Sequence, residues 1–267
     1  MIYLKAIILA VVEGITEFLP ISSTGHMILV DEWMQLSPDR SFSEAFMVII
    51  QLPAILSVVI YFWKDLWPLQ PSAVETRLRL RLWATILLAF LPAALLGLLF
   101  HNYIEEKLFN SGVVAGALLV GGVLLILLDR GGRRADIAGV HDISPRIALL
   151  IGLFQCLAMI PGTSRSAATI IGAMALGASR VAAAEFSFFL AIPTMAGATA
   201  LTVAKHGLSF TGEQWGVLAV GSLVSFGVAY GVVAGLMIFI RRHSFAPFGY
   251  YRIALALIVL GYYWGAR

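Results

Sequence analysis

The chain has 267 residues, of which 60% are hydrophobic and 12% charged, with a mean hydropathy of +0.91. Soluble domains carry about one-quarter charged residues, so a soluble fold is excluded and a bilayer is the environment that hides this much apolar surface. A net charge of +3 without a run of five basic residues excludes nucleic acid as a partner, and the single cysteine, Cys156, excludes an intramolecular disulfide.

The length suits one membrane domain over 1–267. Residues 2–30 are apolar but broken by Glu13, Glu17, Pro20 and a Ser-Ser-Thr-Gly run, with no cleavage site after them, and read as mature protein rather than a leader. Spanning helices, which need about 20 apolar residues, are expected near 45–63, 82–101 and 111–128. Residues 146–178 are again apolar but broken, by Pro161, Gly162 and a Thr-Ser-Arg-Ser run, and three more spans follow near 184–204, 216–240 and 250–265. Non-helical backbone at membrane depth survives where protein or a water-filled cavity covers it. Both broken regions therefore read as re-entrant hairpins of two half-helices.

The expected fold is an all-α polytopic membrane protein with six transmembrane helices and two re-entrant helical hairpins. Its halves, about 1–135 and 140–267, share the order hairpin, then three spans. Pro20 to Ser23 lies 141 residues before Pro161 to Ser164, which pairs Ser23 with Ser164; Phe46 and Pro53 lie 140 before Phe186 and Pro193, and Gly121 140 before Gly261. An odd number of spans per half inverts the second half, the inverted-topology repeat whose sites form at the midplane from broken helices. Basic residues agree. One side would carry Lys64, Arg77, Arg79, Arg81, Arg130, Arg133, Arg134, Arg146, Arg180, Arg241, Arg242 and Arg252; the other would carry Lys5, Arg40, Lys107, Lys205 and Arg267. The rich side belongs in the cytoplasm, which places both termini and the mouth of the first hairpin outside.

Ionisable groups inside apolar segments are costly and mark function. Glu13 and Glu17, four apart, share a helix face. Two carboxylates that close need a shared proton or a cation between them, which suits either a general acid/base or a divalent metal, Mg or Ca, on Glu13 and Glu17; no organic cofactor is expected. Pro20 ends the half-helix, and Ser22, Ser23 and Thr24 supply hydroxyls and a cap for the next one, with His26 a turn on. A helix N-terminus attracts phosphate. The second hairpin offers Ser164, Arg165 and Ser166, with Thr169 one turn later, and arginine grips phosphate with a planar fork. Ordinary capping residues and a snorkelling arginine are the bland alternatives, but so much polarity in apolar segments weighs against them. Gln51 is as readily a helix–helix hydrogen bonder as a site residue. Glu185 near a helix start suits the macrodipole, and His101, His141, His206 and His243 fall at span ends or in loops. Trp63, Trp67, Trp83, Tyr262, Tyr263 and Trp264 fit an aromatic belt.

EGITEFLPISSTGH at 13–26 and PGTSRS at 161–166 resemble the two signature motifs of the bacterial undecaprenyl-diphosphatase family of bacitracin-resistance type, and the similarity extends along the chain through FMVIIQLPAILSVV and AEFSFFLAIP. The family's polar residues match Glu13, Glu17, Ser22, Ser23, Thr24, His26, Ser164, Arg165 and Ser166; Pro53 and Ala167 stand where the family has Gly. The resemblance implies a bacterial inner-membrane phosphatase acting on undecaprenyl diphosphate, a polyprenyl diphosphate lipid recycled for peptidoglycan synthesis. Arg165 with Ser22, Thr24, Ser164 and Ser166 would hold the diphosphate. Ser23 would attack, aided by Glu17 or His26; attack by His26, or by water that His26 activates, is the alternative. A transporter or flippase of an anionic polyprenyl lipid is the rival reading, since it uses the same inverted repeat, and a homodimer is left open. The phosphatidate-phosphatase type is set aside: the chain has no Arg-Pro, and Ile171 stands where its histidine would.

Overall fold

The structure is a computed structural model. It describes the backbone of residues 1–108, 110–130, 135–206 and 209–265, and within these the side chains other than 28–29, 31–33, 101–106, 130, 206 and 263–265. Arg133, Arg134 and Arg267, with the side chains of His101, Arg130, His206, Tyr263 and Trp264, lie outside the described residues. The chain forms helices α1 (Ile2–Thr16), α2 (Ser23–Trp33), α3 (Arg40–Ile49), α4 (Gln51–Tyr61), α5 (Trp63–Leu66), α6 (Ala73–Leu108), α7 (Ser111–Arg130), α8 (Pro145–Cys156), α9 (Arg165–Ala175), α10 (Arg180–His206), α11 (Gly212–Ile240) and α12 (Ala246–Gly265). Among the described residues, the one β contact is an isolated bridge between Ile137 and Ala178.

Among the described residues, five stretches are long and apolar enough to cross a bilayer: Arg40–Tyr61, Ala73–Phe100, Ser111–Asp129, Arg180–Lys205 and Gly212–Ile240. The sixth expected span, 250–265, corresponds to α12, whose apolar part Ala246–Tyr262 is shorter. The first of the five bends between α3 and α4. Pro53 cannot donate to the ladder, and beside it the Ile50 carbonyl at the bend accepts from Ser225 Oγ at 3.0 Å as well as from the Ala54 amide at 3.3 Å. Pro193, its expected counterpart, lies within α10 without ending it.

Each broken region folds as two short helices packed on one another, α1 on α2 and α8 on α9. The turns use one device twice. Ser22 and Ser164 have φ of 74° and 69°, and in each the hydroxyl caps the following helix by accepting from an amide, Gly25 at 3.2 Å and Ala167 at 3.3 Å. A left-handed conformation costs a non-glycine residue about 1–2 kcal/mol; the cap offsets part of that. This geometry makes Ser22, not Ser23, the counterpart of Ser164, and so pairs Ser23 with Arg165. The sequence match was displaced by one because Pro20 and Pro161 sit at different distances from their caps. In the second turn Gly162 has φ of 90°, and a Cβ there would fall 2.5 Å from the Val114 carbonyl oxygen; no side chain fits where the turn rests on α7.

The two halves pack reciprocally. The first hairpin helix, α1, lies on α11 of the second half, α8 lies on α6 of the first, and α7 pairs with α12. The outside is apolar: on α6, Leu87, Leu91, Leu95, Leu98 and Leu99 form a helical stripe, the last two about three-quarters exposed (70% and 74%). The inside carries the polarity, with Glu13, Glu17, Ser22, Ser166, Thr169, Ser187 and Arg252 buried. This distribution suits hydrocarbon outside and a polar site within. Trp63, Trp67 and Tyr262 are exposed at helix ends as the aromatic belt requires, while Trp83 turns inward to donate to the Leu66 carbonyl at 2.8 Å. Arg252 departs from its expected place among the cytoplasmic charges: it is fully buried at 0% exposure, because backbone carbonyls of α7 and of both turns supply it with acceptors.

Candidate active site

The two turns meet. Glu17 directly follows α1, and both its carboxylate oxygens are engaged: Arg165 Nη2 reaches Oε1 at 3.1 Å, and Ser23 Oγ donates to Oε2 at 2.8 Å. Arg165 opens α9, so its side chain projects from a helix N-terminus across to the other hairpin. Its Nη1 donates to the Ser187 carbonyl on α10 at 3.0 Å, and its guanidinium lies 6.0 Å from the Phe18 ring. Two of the five guanidinium donors are thus held by protein, which orients the fork. Ser166 Oγ donates to the Leu19 carbonyl at 2.9 Å and lies 3.0 Å from Ser164 Oγ. Thr169 Oγ1 lies 2.6 Å from Ser187 Oγ, which locks α9 onto α10 below the arginine.

Both caps leave the first amides of the following helix, Ser23 and Thr24 in α2 and Arg165 and Ser166 in α9, without helical acceptors. Two helix N-termini, each a partial positive charge, therefore sit beside a guanidinium and a hydroxyl hydrogen-bonded to a carboxylate. Thr24 is half-buried at the second position of α2. Ser22 and Ser164 each accept their cap through Oγ.

Glu13 lies one turn behind Glu17, within hydrogen-bonding reach of Glu17 and of Gln51 on α4, and its Oε1 is buried without a partner. Among the described residues no group of three or more His, Cys, Asp or Glu is placed to hold a metal. The orphaned Glu13 oxygen beside Glu17 nevertheless fits a divalent cation of the Mg type, which takes one or two carboxylates and completes its shell with water and substrate phosphate oxygens.

His26 is not brought onto Ser23. Its Nδ1 contacts the Ser22 carbonyl at 2.7 Å, and its Nε2 contacts Tyr251 Oη at 2.7 Å, the two rings being parallel. A carbonyl only accepts, so Nδ1 carries the proton, and in the neutral ring Nε2 accepts from the tyrosine. The pair borders an open apolar cleft of about 490 Å³ lined by Val12, Ile15, Leu19, Ile21, Pro247 and Phe248. Tyr251 and Arg252 went unread in the sequence as site residues; a Tyr-Arg pair inside the last apolar segment was the available signal. Glu185 lies apart, its charged neighbours being Asp65 and Arg241, and His141 neighbours Arg79, Asp65 and Asp142.

The family model described as bacitracin resistance protein BacA matches residues 6–258. An undecaprenyl-diphosphatase of Fusobacterium nucleatum subsp. nucleatum is 52% identical over 95% of this chain and 98% of its own length. Undecaprenyl-diphosphatase 1 of Clostridioides difficile (strain 630) is 49% identical over 97% and 95%, and an undecaprenyl-diphosphatase of Enterococcus faecalis is 47% identical over 96% and 95%.

Proposed function

The chain belongs to the bacitracin-resistance protein family, and from that premise we propose that it hydrolyses undecaprenyl diphosphate to undecaprenyl phosphate and inorganic phosphate through Ser23. It is a multi-pass membrane phosphatase. The observation that carries the mechanism is the 2.8 Å hydrogen bond from Ser23 Oγ to Glu17 Oε2, a nucleophile paired with its base, with the base oriented by Arg165.

The diphosphate is held by the free donors of Arg165 and by the first amides of α2 and α9, with the Thr24 hydroxyl beside them; the Ser166 hydroxyl, expected to join them, is committed to the Leu19 carbonyl. The terminal phosphoryl group thereby meets fixed positive charge where negative charge develops. Ser23 Oγ forms a bond to the terminal phosphorus as the bridging P–O bond breaks, and its proton passes to Glu17. The electron pair leaves on undecaprenyl phosphate, which takes the proton from Glu17. Glu17 then accepts a proton from water as the water oxygen attacks the phosphoserine, and that proton returns to Ser23 as phosphate departs. His26 and Tyr251 border the apolar cleft through which the prenyl chain leaves the site. Glu13 and Glu17 would hold a divalent cation, whose contribution is to neutralise charge on the diphosphate. A lipid carrier needs no serine–carboxylate pair, which is why the flippase reading is not favoured.

The six-span frame with two opposed re-entrant hairpins is part of this proposal. The repeated serine caps and the reciprocal packing of α1 on α11 and α8 on α6 support it. The charge bias supports outside termini and an outward-opening site. Cysteines added at both termini should react with an impermeant reagent in intact cells; protection of both would overturn the orientation. For the chemistry, Ser23→Ala should be inactive, and acid-quenched wild type incubated with lipid carrying a labelled terminal phosphate should show labelled Ser23. An active Ser23→Ala removes Ser23 as the nucleophile.

A further inference from the structure

Arg252 on α12 takes no part in the mechanism above, yet it is fully buried, and among the described residues no carboxylate pairs with it. Its partners are all backbone carbonyls. Nε donates to Leu118 at 3.3 Å and Nη2 to Ala117 at 3.0 Å, both on α7. Nη1 donates to Pro20 at 3.3 Å, and Nη2 also to Gly162 at 3.1 Å. Pro20 lies three residues before Ser23 and Gly162 three before Arg165. One planar group therefore touches the backbone of both turns at matching distance from the proposed nucleophile and the proposed phosphate clamp.

Burying an unpaired cation is costly, and it persists where several acceptors hold it. Four carbonyls at once use the rigid fork that distinguishes arginine from lysine. If the requirement were packing alone, an apolar side chain of similar volume would fill the place without that cost. We propose that Arg252 is a positioning residue for the phosphatase reaction: its guanidinium pins the Pro20 turn to the Gly162 turn and so sets the distance between Ser23 and Arg165. This rests on the reading of those two turns as the site. The turns carry positive-φ serines, and their other direct ties, Arg165 to Glu17 and Ser166 to Leu19, are single hydrogen bonds that leave the backbone spacing to Arg252; misplacement by about 1 Å can cost about 100-fold in rate.

Gly121 offers a probe that leaves the arginine in place. A Cβ there would come within 2.9 Å of Arg252 Cζ and closer still to Nη2, so Gly121→Ala pushes the fork off its carbonyls while keeping its charge and raising local helix propensity. Arg252→Lys keeps the charge and loses the span. Both variants should be purified in detergent, with folded protein quantified by its thermal transition and turnover measured per folded molecule on undecaprenyl diphosphate. The expected result is a fall in kcat of about tenfold or more in both, with KM within threefold of wild type, since the groups that bind phosphate remain but are misaligned. Unchanged kcat with a lowered transition temperature would make Arg252 merely structural and overturn the proposal. A raised KM at unchanged kcat would overturn it too, by making the arginine a remote binding charge. If Arg252→Lys does not fold, Gly121→Ala decides alone. Ser23→Ala run alongside separates the premises: an active Ser23→Ala defeats the site reading, whereas an inactive one beside fully active Arg252→Lys and Gly121→Ala defeats only the tie.

Discussion

Glu17→Gln removes one charge and almost no volume, so its consequences can be worked from two contacts. The amide keeps an oxygen able to accept from Arg165 Nη2, now 3.1 Å from Oε1, but it cannot take the Ser23 proton that passes at 2.8 Å to Oε2. Loss of a general base costs about 10²–10⁴ in rate, or about 2.7–5.5 kcal/mol of transition-state stabilisation. The variant also leaves Arg165 with less buried counter-charge. Removing one partner of a buried pair costs up to about 3–5 kcal/mol of stability, but Glu13 also bears on the same guanidinium, so the loss should fall at the low end of that range. The assay is phosphate release from undecaprenyl diphosphate in detergent micelles, at saturating lipid, with the thermal transition recorded on the same sample. A folded Glu17→Gln enzyme with kcat within threefold of wild type would refute the assignment of Glu17 as base and move the chemistry elsewhere.

Arg165→Lys should lower turnover by about 100-fold or more in folded protein, because an ammonium cannot satisfy the Ser187 carbonyl and Glu17 together and still present a fork to phosphate; near-normal activity would remove Arg165 from phosphate binding. Glu13→Gln should cost less than Glu17→Gln, since Glu13 lies one turn behind Glu17, the carboxylate that touches Ser23, and the double variant should be little worse than Glu17→Gln if both act through one ion or one proton; multiplying losses argue against a shared role. A chelator separates those two cases, abolishing activity of wild type if an ion is held and leaving it unchanged if a proton is shared. His141, in the 140–142 turn outside the spans, is held below the ordinary histidine pKa by burial and then by the Arg79 guanidinium. A lowered folded-state value means that the folded protein binds fewer protons, so the stability it contributes is present above about pH 6.5 and is lost as pH falls below that toward the folded value. His141→Gln should flatten the acid side of the stability profile, measured as transition temperature between about pH 5 and 7.5.

Apolar stretches of about 20 residues and their interruptions are one-dimensional signals, and α6, α7, α10 and α11 contain the segments read from them. The same logic located Glu13, Glu17, Ser23 and Arg165, since each is a polar group in a segment that otherwise avoids polarity. Pairwise geometry was not legible. Nothing local says that Ser23 turns to Glu17 while His26 turns to Tyr251, because that choice depends on α12, 225 positions away along the chain. Arg252 misled for a related reason. A charge bias counts residues by position near span ends, whereas burial of a guanidinium depends on acceptors gathered from Pro20, Ala117, Leu118 and Gly162. Residue identity pairs the two turns one position out of register, because the feature they share is the positive φ of Ser22 and Ser164, which no residue type announces.

The exchange of partners between halves, α1 on α11 and α8 on α6, with α7 against α12, means that neither half owns a finished interior. A fragment ending near 135 would carry Glu13, Glu17 and Ser23 but lack α11 to cover α1 and Arg165 to neutralise the carboxylates. A fragment beginning near 140 would carry Arg165 with no counter-charge from Glu17. The chain behaves in this respect like an obligate heterodimer joined by a peptide bond, each subunit shielding the other's polar groups from lipid. Fragments 1–135 and 140–267 made separately in one cell should therefore each be degraded when alone, and survive and co-purify with phosphatase activity when together.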